Sequence, residues 1–116
     1  MPRLLLILFF CFGYSNSSNL EIKERLFDNG LKILFVENHT APVVALQVWY
    51  RVGSKNEVDG IRGISHLLEH MMFKGSANVG PEEHMRQIGW VGGRTNAYTS
   101  EDVTVYHQVV PASSAE

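Results

Sequence analysis

A single cysteine, Cys11, stands in this 116-residue chain, and it lies inside an apolar N-terminal run. No intramolecular disulfide can form, so the fold is held by burial and hydrogen bonding alone. There is no cluster of Lys or Arg, and the formal charge is −2, which leaves no electrostatic footprint for nucleic acid. Long apolar runs are missing too. The run from Leu4 to Phe12 is nine residues, too short to cross a hydrocarbon core of about 30 Å, so no membrane span is expected. Internal repeats and low-complexity tracts are absent as well. What is there is 45% hydrophobic and 19% charged, the balance of a globular chain rather than a disordered one. The length suits one small domain and not two.

The N-terminus reads separately from the rest. Met1-Pro2-Arg3 supplies a positive start, the apolar run follows, and Gly13 to Ser18 are small or polar with one tyrosine. That three-part layout is a secretory signal peptide over residues 1–17, with cleavage after Ser15 or Ser17. The segment is neither amphipathic nor arginine-rich, as a mitochondrial presequence would be. Leu8-Phe9-Phe10 before Cys11 is a poor lipoprotein signal, which wants small residues there. The expected product is exported, periplasmic or secreted, and free of cysteine.

From Leu20 to Phe27 the pattern roughly alternates, and Asp28-Asn29-Gly30 is a hairpin turn signal because Asn and Gly tolerate positive φ. Leu31 to Glu37 reads as the returning strand. Val43 to Val52 reads as a longer strand, apolar on both faces and therefore central in its sheet. Gly53 to Gly60 is turn-rich and leads into a helix near Ile61. Pro81 suits the first position of a second helix, with Glu82 and Glu83 favouring its positive end and Gly89 stopping it. One strand, rich in Thr, Val and Tyr, then runs from about Arg94 to Val110, and Pro111 ends it. The order is β-β-β-α-α-β. It predicts an α+β fold, a mainly antiparallel sheet with helices packed on one face.

The chemistry is concentrated in His66-Leu67-Leu68-Glu69-His70. On a helix each residue advances about 100°, which puts His70 about 40° from His66 and one turn along. Glu69 lies about 60° to the other side, so all three groups fit within an arc of about 100°. Two imidazoles one turn apart can grip a tetrahedral zinc, with a carboxylate placed beside an attacking water. This is the His-Glu-x-x-His arrangement read backwards. The helix has its own support: Ile64, Leu67, Leu68, Met71 and Met72 recur at helical spacing and predict a buried stripe. Gly75 is placed to end the helix in the left-handed conformation. Gly63, if internal, weakens the first turn by about 1 kcal/mol. The five-residue pattern also occurs in helices carrying two ordinary histidines, and taken alone it leaves both readings open.

Several stretches together carry more. Asn29-Gly30-Leu31, Pro42, Val48-Trp49-Tyr50 and Val52-Gly53-Ser54 come first, then Glu57 and the unbroken run Gly63 to Ser76. Gly92-Gly93, Asn96-Ala97 and Thr99-Ser100 complete the set. In this order and spacing, residues 25 to 111 resemble the N-terminal part of the M16 metallopeptidases, the pitrilysin and insulinase family. Mitochondrial processing peptidases and bacterial periplasmic zinc proteases belong to the same group. The resemblance implies Zn2+ held by His66 and His70, with Glu69 as general base in hydrolysis of peptide bonds of unfolded or short peptides. It implies that Asn96 and Ala97 lie on an edge strand to which the peptide substrate adds as a further β-strand. Without the resemblance, Asn96 reads more readily as a turn or strand-end residue satisfied locally.

The resemblance also shows what is missing. The family's third zinc ligand is a glutamate on a later helix, past position 116, and a second related domain or subunit closes over the substrate. Residues 18–116 are therefore expected to be a truncated N-terminal part of such a peptidase domain, the intact motif favouring a fragment over a degenerate remnant. Glu101, Asp102 and His107 fall in the strand resembling the substrate strand and are not promoted to ligands. His39 and His84 are expected at the surface, and His107 in the sheet. The alternative function is a non-catalytic, structural or substrate-holding subunit; the intact His66, Glu69 and His70 argue for catalysis.

Overall fold

The computed structural model describes residues 20–115, so the signal-peptide expectation lies outside the described residues. The chain forms two units that part between His39 and Thr40. The first is a hairpin of β1 (Ile22–Leu26) and β2 (Lys32–Val36), antiparallel, with Ile22 opposite Val36 and Leu26 opposite Lys32. The Asn-Gly signal is realised. Gly30 takes φ 83°, its N–H reaches the Phe27 carbonyl at 2.9 Å, and Asn29 Oδ1 accepts from the Leu31 N–H at 3.1 Å. Every residue of both strands is exposed.

The second unit holds β3 (Val43–Tyr50), a 3₁₀ turn over Ser54–Asn56, α1 (Ile64–Met71), α2 (Glu83–Trp90), β4 (Arg94–Thr99) and β5 (Thr104–Pro111). Its sheet is antiparallel throughout, in the order β3-β5-β4. The α+β class stands, and the strand bookkeeping does not. The expected single strand from Arg94 is two strands, because residues 100–103 turn the chain back: Ser100 N–H donates to the Val103 carbonyl at 2.9 Å and Ser100 Oγ to the same oxygen at 3.2 Å. The strand expected to be central, β3, stops at Tyr50 and lies at an edge among the described residues; β5 takes the centre.

Residues opposite one another share a face, so Tyr50, Thr104 and Thr99 lie together, as do Val48, Tyr106 and Ala97. Both helices meet this face. Glu69 of α1 reaches Thr99, the Phe73 ring beyond α1 sits 6.1 Å from that of Tyr106, and His84 of α2 reaches Gln108. Among the described residues the buried apolar side chains are Val105 and Val110, both on β5.

The helices differ from expectation at their ends and in their faces. Gly63 is the N-cap of α1 at φ 89°, so it is not internal and its penalty there does not arise. The helix stops at Met71, and Gly75, at φ 96°, turns the chain only after two further hydrogen-bonded turns at Phe73 and Lys74. Pro81 precedes α2, because Glu82 as N-cap takes φ 59° and the helix begins at Glu83. Gly89 is inside α2, and the chain leaves it through Gly92 at φ 78°. The stripe of Leu67, Leu68, Met71 and Met72 is exposed; the buried residues of α1 are Ser65 and Glu69. The polar flank is the one buried, while Leu68, Met71 and Met72 border an open cavity shared with Tyr50 and Tyr106 of the sheet.

Candidate metal centre

α1 sets the two histidines one turn apart on an exposed flank, with their Nε2 atoms 3.1 Å apart and ring centroids 4.6 Å apart. A tetrahedral zinc with Zn–N of about 2.0–2.1 Å needs about 3.3 Å between two such nitrogens. The pair meets that spacing almost unmoved. Two imidazole nitrogens this close either share a proton, one donating and one accepting, or turn both lone pairs to a cation. The donor set is therefore chemically suited to zinc, and among the described residues no third His, Cys, Asp or Glu completes a cluster with it.

Glu69 lies on the other flank of His66 and is buried, 7% exposed. A carboxylate there needs a partner, and Thr99 Oγ1 donates to its Oε2 at 2.5 Å from 30 residues away. Tyr106 stands on the same sheet face. Burial pushes its phenol above the ordinary range, and the charges of Glu69 and Tyr50 push it further, so it remains a neutral O–H donor at neutral pH.

Glu57 was notable in the sequence only as one letter of the resemblance. Its Oε2 accepts from the Gly63 N–H at 2.7 Å and its Oε1 from the Ser65 N–H at 2.9 Å. Those two bonds, Gly63 first, hold its pKa below the ordinary value, with smaller help from the Ser65 hydroxyl and Arg62 against a modest burial penalty. A depressed carboxylate pKa means that the stabilisation is complete above the unfolded value of about 4.3 and is lost as pH falls through the lower folded one. Beyond the resemblance, no periodicity marks Glu57 or Thr99, since neither lies at helical spacing from its partner.

Asn96 and Ala97 sit in β4, which lies at a sheet edge among the described residues. Asn96 is exposed on the side away from the helices, opposite His107, and its Oδ1 accepts from the Ala97 N–H at 2.9 Å. Its amide oxygen is thus satisfied by its neighbour. Glu101 and Asp102 belong to the turn after β4 rather than to a strand, and Asp102 pairs with Lys55. His107 is a half-buried residue of β5. None of the three forms a donor cluster with the histidine pair. The exposed His39 pairs with Glu37 at 2.8 Å, and the exposed His84 contacts Gln108 at 3.0 Å. A cavity of about 350 Å³ opens beside His66, walled also by Ser54, Glu57, Thr99 and Ser100.

The model of the insulinase family, peptidase family M16, matches residues 32–116. A zinc protease of Bacillus subtilis, YmxG, is 40% identical over 89 residues, covering 77% of this chain and 22% of that protein. The crystal structure of a protease from Helicobacter pylori is similar with a TM-score of 0.76 and 36% identity, over 81% of this chain and 22% of that one. The first half of the periplasmic protease PqqL from Escherichia coli is similar with a TM-score of 0.73 and 31% identity, over 81% and 21%. This chain spans about a fifth of the length of the relatives it matches.

Proposed function

Because the chain belongs to the insulinase family, peptidase family M16, we propose that it supplies the metal-binding and base-bearing part of a zinc endopeptidase acting on unfolded or short peptides. The observation that carries this reading is the 3.1 Å spacing of the two Nε2 atoms, one residue from a buried, hydroxyl-held carboxylate. The resemblance to proteins named as zinc proteases supports it.

In the proposed mechanism His66 and His70 would hold the zinc, each through a ring nitrogen lone pair. Zinc bound there would supply Lewis acidity, polarising a peptide carbonyl and bringing the pKa of water towards about 7. Glu69 takes the proton of the attacking water and delivers it to the leaving amine. Thr99 keeps the Glu69 carboxylate from rotating away by donating to one oxygen, leaving the other for the proton. The peptide adds in extended form along the β4 edge at Asn96 and Ala97, through backbone hydrogen bonds that tolerate many side chains. That pairing demands an unfolded segment. Further domains of the M16 kind would close over it and provide the remaining ligand.

The test uses the complete gene product and two substrates, an unstructured fluorogenic peptide and a stably folded protein. Cleavage of the first alone, abolished by chelation and restored by zinc, is expected. Cleavage that survives exhaustive chelation sinks the proposal.

The apolar start of the chain supports a second part of the reading, export to the periplasm or outside the cell, in keeping with the likeness to a periplasmic protease. No helix among the described residues is long and apolar enough to cross a membrane. N-terminal sequencing of the product outside the cytoplasm should read from Asn16 or Ser18. A product retaining Met1 and staying with the membrane would overturn this.

A further inference from the structure

The N-cap of α1 is a glycine in the left-handed conformation, with no side chain to satisfy the helix's free N–H groups. The helix bearing both histidines thus begins without a cap of its own. Glu57 reaches across from the preceding turn and takes two of those groups, on Gly63 and on Ser65, the residue before His66. Its negative charge also suits the positive end of the helix.

The turn that carries Glu57 is itself anchored. Ser54 and Lys55 N–H donate to the Ser100 and Glu101 carbonyls, each at 3.0 Å, and Lys55 pairs with Asp102. Asn56 Oδ1 accepts from the Gly53 N–H at 3.2 Å. Gly53 is buried so closely against the Ser100 and Glu101 carbonyls that a Cβ would not fit. Ser100 follows β4 directly. α1 is therefore tied at two points to the end of β4 and the turn that follows it, at its start through Glu57 and its own turn, and at its middle through Glu69 and Thr99. Two attachments on one rigid element fix its rotation as well as its position.

We propose that Glu57 is a positioning residue of the metal centre: its bidentate cap sets the rotation of α1 so that His66 faces the zinc at a fixed place relative to the end of β4. The proposal rests on the reading of His66 and His70 as zinc ligands. It assigns Glu57 no contact with metal or substrate.

The test compares Glu57→Ala, Glu57→Gln and Glu57→Asp with the wild type in the complete gene product. Glutamine keeps one acceptor oxygen and turns an NH2 group against the second amide, so it should behave nearly as badly as alanine; aspartate keeps the charge and should recover part of the loss. Amide exchange of Gly63 and Ser65, measured without metal, should accelerate in the Ala and Gln variants. Zinc affinity, measured by chelator competition, should fall about tenfold, the lower end for lost supporting contacts at metal sites. In zinc-saturated enzyme kcat should drop with KM little changed, since β4 is untouched.

Gly93→Ala serves as a control for simple destabilisation, because its Cβ would press on the Val109 carbonyl and the Ile88 and Val110 side chains. It should lower Tm while leaving zinc affinity within twofold of wild type. Equal losses of affinity in this control and in Glu57→Ala would overturn the proposal, as would unchanged exchange at Gly63 and Ser65. So would a rise in KM with zinc affinity and kcat preserved. A wild type that binds no zinc refutes the peptidase reading, and the proposal with it; zinc bound normally with no effect at Glu57 refutes the proposal alone.

Discussion

Glu69→Gln is expected to abolish peptide cleavage in the complete gene product while zinc stays bound. Glutamine is nearly isosteric, and its amide oxygen can still accept the Thr99 hydroxyl that now reaches Glu69 Oε2 at 2.5 Å. The buried environment is therefore preserved, and one burial penalty is relieved because the charge is gone. What glutamine cannot do is accept a proton. Removal of a positioned general base costs about 10²- to 10⁴-fold in rate, and the loss should appear in kcat rather than in KM. Metal content, measured by elemental analysis on the purified variant, should match the wild type. Zinc lost together with activity would show that Glu69 is a ligand, and retained turnover would show that another group is the base.

Residues 18–116 made alone are expected to cleave nothing, to hold zinc weakly and to aggregate. Two histidines supply two protein donors where catalytic zinc sites normally use three, and no described residue provides another. Metal affinity and order in the site rise together, so a site short of a ligand gains little from zinc. Stability is meagre from the other side too. Val105 and Val110 are the buried apolar side chains among the described residues, whereas Val43, Leu46, Trp49, Leu67, Met71 and Trp90 are all exposed. Leu68, Met71 and Met72 line an open, largely apolar cavity of about 620 Å³ with Tyr50, Phe73 and Tyr106. Apolar surface on this scale marks an interaction face or an aggregation liability. Zinc titration of the purified segment, followed with a fluorogenic peptide and by light scattering, checks all three expectations. Stoichiometric tight zinc with chelator-sensitive cleavage would overturn them and make Glu101, Asp102 or His107 the ligand to test next.

Local signals were legible and long-range ones were not. The Asn29-Gly30 turn could be read because positive φ is a property of those residues themselves. The helix at residues 64–71 could be read from its 3.6-residue period, although its buried flank was misjudged. Hydropathy placed Leu68 and Met71 inwards, but the sheet offers Thr99 to Glu69. A hydrogen bond between a carboxylate and a hydroxyl 30 residues apart leaves no periodic trace. The turn after Thr99 escaped because it contains neither Gly nor Pro; Ser100 builds it through its own hydroxyl and amide. β3 appeared central because both its faces are apolar, yet strand order follows from pairing partners that composition does not name.

The sequence by itself determined the α+β class, the family resemblance and the angular arrangement of His66, Glu69 and His70, because covalent order and helix geometry settle those within a few residues. Only the tertiary structure decided that β5 rather than β3 runs through the middle of the sheet. It also decided that α1 turns Ser65 and Glu69 inwards, and that Glu57 and Thr99 are the groups holding α1. These outcomes depend on backbone amides and hydroxyls finding partners between segments distant in sequence. The energy of such pairing lies in their position in space, and a one-dimensional pattern of polarity does not record it.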